Sequence, residues 1–185
     1  MWAVVGLGNP GRRYSATRHN VGFMLIQRVA EAWGIRIKKN RFLAKTGEGR
    51  RVGQRVLLAL PQTFMNESGQ AVKAVLGGAE VEPGSLIVAY DDADIPLGDI
   101  RIRKDGGPGT HKGMASIVAE IGTGDFPRIR IGIGPVPDGA DIVRFVLTPF
   151  RRAERDALED SLERAVSALD LIVGGRIDKA MNDFN

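Results

Sequence analysis

Apolar residues along this chain switch between two periods. Residues 2–8 (WAVVGLG) and 85–91 (SLIVAYD) are short, nearly continuous apolar runs, as expected of strands buried on both sides of a parallel sheet. Between them Val21, Met24, Leu25, Val29, Ala30 and Trp33 recur at helical spacing, with Asn20 placed to cap that helix and Gly34 to close it. Residues 42–48 and 54–60 read as two strands joined by a Gly- and Arg-rich turn, and 66–77 as a short helix stopped by Gly77-Gly78. The alternation continues with strands at 100–104 (IRIRK) and 128–134 (RIRIGIG), separated by a glycine-rich loop (106–113, GGPGTHKG) and a helix over 114–121. A long amphipathic helix over 151–173 and a short one over 176–185 close the chain, and no repeat, low-complexity stretch or linker interrupts it. The pattern predicts one α/β domain over residues 1–185: a twisted mixed β-sheet with helices on both faces.

Composition narrows the chemistry. No apolar run approaches 18 residues, and the N-terminal MWAVV lacks a basic lead-in, so neither a membrane span nor a secretory signal is expected. The absence of Cys removes disulfides, thiolate metal sites and a Cys nucleophile, and the expected compartment is the cytoplasm. Only His19 and His111 could serve a histidine-based mechanism. A sequence pI near 9.7 at a net charge of only +4 implies a local basic face and an anionic partner, without choosing among RNA, DNA and a phosphorylated metabolite.

GLGNPG at 6–11 matches the dinucleotide fingerprint G-x-G-x-x-G, but the mechanism of that motif needs a helix to start inside the loop, facing a pyrophosphate. Here Pro10-Gly11 and the polar stretch to Arg18 delay the helix to about residue 20, and Glu31, at the position for a ribose ligand, falls inside the helical pattern. A glycine turn that only reverses the chain is one alternative. In another, Asn9 is the functional member, its amide offering donor and acceptor at a strand's carboxyl end.

Four loops carry the remaining candidates: Asn9 with His19, Asn66, Asp91 and His111. Each lies just after a predicted strand or at a helix start, so folding can gather them at one rim. Imidazole chemistry suits His19 to general-base work if a carboxylate fixes its tautomer, against the plain alternative of a solvated surface histidine. Asp91, directly after the strand predicted to end at Tyr90, is the best-placed carboxylate, whereas Asp92, Asp94 and Asp99 extend into the predicted loop. That acidic cluster could instead hold Mg²⁺, but Ile95-Pro96-Leu97-Gly98 gives no metal-loop spacing. With no G-x-S-x-G elbow and no Cys, a histidine-activated water remains, which points to hydrolysis. Arg101, Arg103, Lys104, Lys112, Arg128 and Arg130 favour a phosphate-bearing substrate over a merely solvated strand face. Aromatics are too few and too scattered for base stacking, which favours recognition of the nucleic-acid backbone or shape.

These residues resemble the bacterial peptidyl-tRNA hydrolase family. The strings are VGLGNPGRRYSATRHNVG (5–22), PQTFMNESG (61–69), VAYDDADIPLG (88–98), GGPGTHKG (106–113) and FPRIRIGIGP (126–135), in family order over nearly the whole chain. The resemblance implies a monomeric esterase with no metal or other cofactor, which cleaves the ester between a peptide and the terminal ribose of tRNA. His19 matches the family's base and Asp91 its orienting carboxylate. Asn9 and Asn66 match substrate- or oxyanion-holding amides, and Tyr14, Phe64 and Met65 match the peptide and ester pocket. Gly109, His111 and Lys112 fall in the substrate-binding loop, Arg103 and Arg130 at the contacts to tRNA phosphate. One departure stands out: the family usually has Asn where this chain has Lys112, and Pro108 and Thr110 replace common glycines. A tRNA- or RNA-binding protein without catalysis is the alternative from another class, and a dinucleotide oxidoreductase a more distant one.

Overall fold

A computed structural model describes all residues, Met1–Asn185. Seven strands form one sheet in the order β2-β3-β4-β1-β5-β7-β6. The apolar runs build its parallel centre: β1 (Trp2–Gly6) lies between β4 (Gln54–Pro61) and β5 (Leu86–Pro96), and β5 pairs with β7 (Arg128–Gly134). Antiparallel strands flank this centre: β2 (Lys39–Arg41) and β3 (Ala44–Arg51) on one side, β6 (Ile100–Arg103) on the other.

Helices cover both faces, as the alternation predicts. One core, around Leu25, Ile87, Ile131 and Leu169, seats α1 (Val21–Ala32), α5 (Arg155–Val173) and α6 (Ile177–Phe184). The opposite core, around Val5, Leu57, Val72 and Ile117, seats α2 (Ser68–Ala79) and α3 (Lys112–Ile121). No helix is long and apolar enough to cross a membrane.

Four expectations are revised. The strand expected to stop at Asp91 runs on to Pro96, because β7 continues to pair with it past the acidic residues, with one register shift between Asp92 and Pro96. Gly77-Gly78 does not stop α2, which continues to Ala79 and ends at Glu80 in the left-handed region. A Cβ on Gly78 would overlap the Phe42 ring, so that glycine serves packing. The hairpin turn shrinks to Val52-Gly53, both at positive φ, as a tight two-residue turn between twisted strands requires. β2 (KNR) and the one-and-a-half-turn helix α4 (Ile142–Val146) are additional elements.

The glycines of the first loop work in helix packing. A Cβ on Gly6 would overlap the carbonyl of Gly22, and one on Gly22 would overlap the Leu7 backbone and the Ala89 carbonyl. This closeness lets α1 start directly beside the carboxyl end of β1 and the Ala89 backbone of β5. It brings the turn before α1 (Arg18–Asn20) to Asp91.

Candidate active site

The buried Asp91 carboxylate, 3% exposed, sits between two imidazoles. His19 Nδ1 lies 2.9 and 2.8 Å from its two oxygens, and His111 Nε2 lies 2.9 Å from Oδ1. The His111 tautomer follows from its place at the N-cap of α3. Its Nδ1 accepts from the Met114 amide at 3.3 Å, so Nε2 carries the proton donated to Asp91. A carboxylate only accepts, so His19 must donate from Nδ1. Its Nε2 then holds the free lone pair, with no partner inside the protein.

Burial pushes the Asp91 pKa up, but His111 first and His19 second, through charge and hydrogen bonds, hold it well below the ordinary carboxylate range. Asp91 is therefore anionic at any working pH. The neighbouring Tyr90, whose ring packs 4.9 Å from that of His111, has its phenol pKa raised mainly by burial, and Arg128 and Arg130 only partly oppose this. By distance alone His19, Asp91 and His111 could share an ion, since their ligand atoms lie within 4.8 Å of one another. Each short N···O gap here is a direct hydrogen bond, however, and the outer nitrogen of His111 is engaged by the helix.

Asn9 is fixed just as firmly. Its side-chain Oδ1 accepts from the Met65 amide at 2.8 Å, which leaves Nδ2 as a pure donor at the cavity wall. Its backbone is gripped by Asn20, whose Oδ1 accepts from Asn9 N and whose Nδ2 donates to Asn9 O, both at 2.9 Å. Asn20 was expected to cap α1; it makes no such bond and ties the Asn9 loop to the His19 turn instead. Its side chain offers both bonding types, which was the only signal of that role in the sequence.

These groups line a cavity of about 880 Å³ beyond the carboxyl end of β1 and along Tyr90–Asp94 of β5, together with Phe64, Met65, Asn66, Gly109 and Lys112. Phe64 is 50% exposed and Asn66 is exposed, whereas Met65 is buried beneath Gly113. Tyr14 does not join the lining; it stands in the turn Arg12–Tyr14, where its ring and hydroxyl engage the Arg13 guanidinium. A wall that sequence reasoning missed is contributed by α4 and its flank: Ile142, Val143, Val146 and Leu147.

The basic residues divide. Arg103 and Arg130 line the cavity, with Arg130 paired to Asp92 at 2.7 Å. Arg128 is no surface cation: fully buried, it donates to the Gly107 and Gly124 carbonyls and stacks on Phe126, pinning the glycine-rich loop. Lys104 pairs with Asp178. Much of the positive surplus lies elsewhere, since residues 36–55 hold eight Lys or Arg against one Glu and the remaining residues 18 against 21.

Comparison with known proteins agrees with this geometry. The family model described as peptidyl-tRNA hydrolase matches residues 3–185. A peptidyl-tRNA hydrolase of Chloroflexus aurantiacus is 47% identical over 186 residues, covering 100% of this chain and 99% of its own. That of Alkaliphilus metalliredigens is 46% identical over 185 residues, covering all of both chains. The crystal structure of peptidyl-tRNA hydrolase from Acinetobacter baumannii superposes with a TM-score of 0.92 at 36% identity, covering 98% of this chain and 93% of that one. The chain belongs to the peptidyl-tRNA hydrolase family.

Proposed function

We propose that the protein hydrolyses the ester between a peptide, or an N-blocked aminoacyl group, and the 3′ ribose of tRNA, returning tRNA from prematurely released peptidyl-tRNA. The observation that carries this reading is the donation of His19 Nδ1 to the buried Asp91, which leaves Nε2 basic at the cavity wall. A water bonded to Nε2 loses its proton to that nitrogen as its oxygen attacks the ester carbonyl carbon. The tetrahedral intermediate then expels the ribose oxygen, which takes the proton back from the imidazolium. Asp91 stabilises that imidazolium and holds the ring without itself accepting the proton.

Charge developing on the carbonyl oxygen needs donors fixed in advance. Asn9 Nδ2 fits this part because Met65 prevents its amide from flipping. The exposed Asn66, also in the cavity lining, offers a second amide. Phe64, Met65 and the α4 wall offer apolar surface to the peptide, and Tyr14, outside the lining, is assigned no contact with the reacting groups. Arg103 and Arg130 are assigned to tRNA phosphate. The exposed Lys112, a point charge that can only donate, is assigned to the 3′-terminal phosphodiester beside Gly109 and His111. The reading includes a cytoplasmic monomer that needs no metal ion.

Incubation of N-acetyl-aminoacyl-tRNA with the protein in H₂¹⁸O tests this. The expected products are intact tRNA and an N-acetyl amino acid bearing ¹⁸O in its carboxylate. Binding of the tRNA without release would make the protein an RNA-binding member of its family and remove the reading.

A further inference from the structure

The residue immediately before His19 is a buried arginine that the hydrolytic steps do not use. Arg18 is 4% exposed, and its guanidinium reaches into the segment that follows α4. Nη2 donates to both Glu154 oxygens at 2.8 Å, and Nη1 donates to Thr148 Oγ1 at 2.9 Å and to the Pro149 carbonyl at 2.5 Å. The guanidinium carbon also lies 4.7 Å from the Phe145 ring centre and 5.2 Å from that of Phe150. The backbones join as well: Arg18 N donates to Thr148 O, and Thr17 bridges Pro149 in antiparallel fashion.

Apart from these ties, the element is held by its Asp141 N-cap and by Phe145 and Val146, which pack against the core. α4 spans five residues, none of them buried, and its Ile142 and Val143 with the flanking Leu147 stand 38–49% exposed at the cavity. One and a half helical turns do not persist in water unaided. Charge-assisted hydrogen bonds that are largely shielded from solvent are among the stronger local ties a chain can make.

We propose that Arg18 is a positioning residue, whose guanidinium fixes the apolar α4 wall to the turn that presents His19 and thereby sets the fit of the cavity to the acyl side of the substrate. The proposal rests on the hydrolytic reading above and assigns a residue that reading leaves idle. His19 keeps its own tether to Asp91, so release of the clasp frees the wall while the base stays in place. The consequence is specific: substrates with an apolar side chain lose their wall, and substrates without one do not.

Arg18→Met tests this cleanly. It keeps an apolar stem between Phe145 and Phe150, and Glu154 stays hydrogen-bonded to the Arg151 backbone and side chain instead of being orphaned. Wild type and variant are compared on N-acetylleucyl-tRNA and N-acetylglycyl-tRNA. The expected result is a KM for the leucyl substrate raised about tenfold or more, the worth of one charge-assisted hydrogen bond. The glycyl KM should move far less, and kcat should stay within a few-fold on both. A merely structural role predicts fewer active molecules, hence a lower apparent kcat at unchanged KM on both substrates, and that outcome overturns the proposal. Equal KM shifts on the two substrates, or none, overturn it too. Should Arg18→Met fail to fold, Thr148→Val, which removes one acceptor of Arg18 together with the Thr148 Oγ1 bond to the Phe145 carbonyl and leaves the Glu154 pair, carries the same comparison with a smaller expected shift. Loss of wild-type hydrolysis of both substrates would instead strike the parent reading, so the two failures are distinguishable.

Discussion

His19 Nδ1 lies 2.8 Å from Asp91 Oδ2 and 2.9 Å from Oδ1, so one proton on one nitrogen determines what the whole ring can do. Replacing the acceptor removes that constraint. Asp91→Asn leaves a group that can itself donate to Nδ1, turning the basic lone pair away from the cavity. The expected loss in kcat is on the order of 10²–10⁴, with the fold intact by circular dichroism and KM little changed. Near-normal turnover would detach Asp91 from the mechanism.

Asn9 separates a structural bond from a chemical one. Asn9→Asp keeps an oxygen to accept from Met65 N but replaces the free donor with a negative acceptor. We expect kcat to fall about 10²–10³-fold, the usual worth of one oxyanion donor, with a small change in Tm. Asn9→Ala should lose both, because it also leaves the buried Met65 amide unpaired, a further cost of about 1–3 kcal/mol by thermal denaturation.

The pH dependence has a definite sign. The folded-state pKa of Asp91 is depressed, so its stabilising contribution is complete above the ordinary carboxylate pKa of about 3.9 and is lost as pH falls from there toward the folded value. Wild type should lose stability below about pH 4 more steeply than Asp91→Asn, as read by denaturant midpoints against pH. It also follows that an acid limb in kcat above about pH 5 does not report this carboxylate.

Phosphate contacts can be read from salt. Arg103 and Lys112 have no acidic partner, whereas Arg130 is already paired with Asp92. Arg103→Ala and Lys112→Ala should each flatten the slope of log binding constant against log salt by about 0.7–0.9. Arg130→Ala should flatten it less, because Asp92 already neutralises much of the Arg130 charge. Equal slopes in wild type and the first two variants would mean that neither faces phosphate.

How far the sequence reached depends on which elements carried an apolar signal. β1, β4 and β5 were readable because burial on both faces demands nearly continuous apolar runs, β7 because Ile alternates with Arg and Gly, and α1 and α5 because one face must be apolar. β2 is entirely polar, and α4 is too short for any period to show. The stretch Asp92-Ala93-Asp94 read as loop because its acidic residues face a cavity and not a core. At the site, His19, Asp91, Asn9 and His111 stood out through position, each just beyond an apolar run or at a helix start. Their pairing did not, since His111 joins Asp91 only through a crossover of about 20 residues. Arg128 misled for the opposite reason: strand alternation put it on a face with Arg130 but could not tell that its end of β7 was covered.

The central claim is that His19 activates water without help from a metal ion. It is tested most directly by release of labelled N-acetyl-aminoacyl groups from tRNA by wild type and His19→Ala, each with and without EDTA. Wild-type release should be unchanged by EDTA, and the His19→Ala rate lower by roughly 10²–10⁴. Release abolished by EDTA, or undiminished in His19→Ala, would contradict that claim.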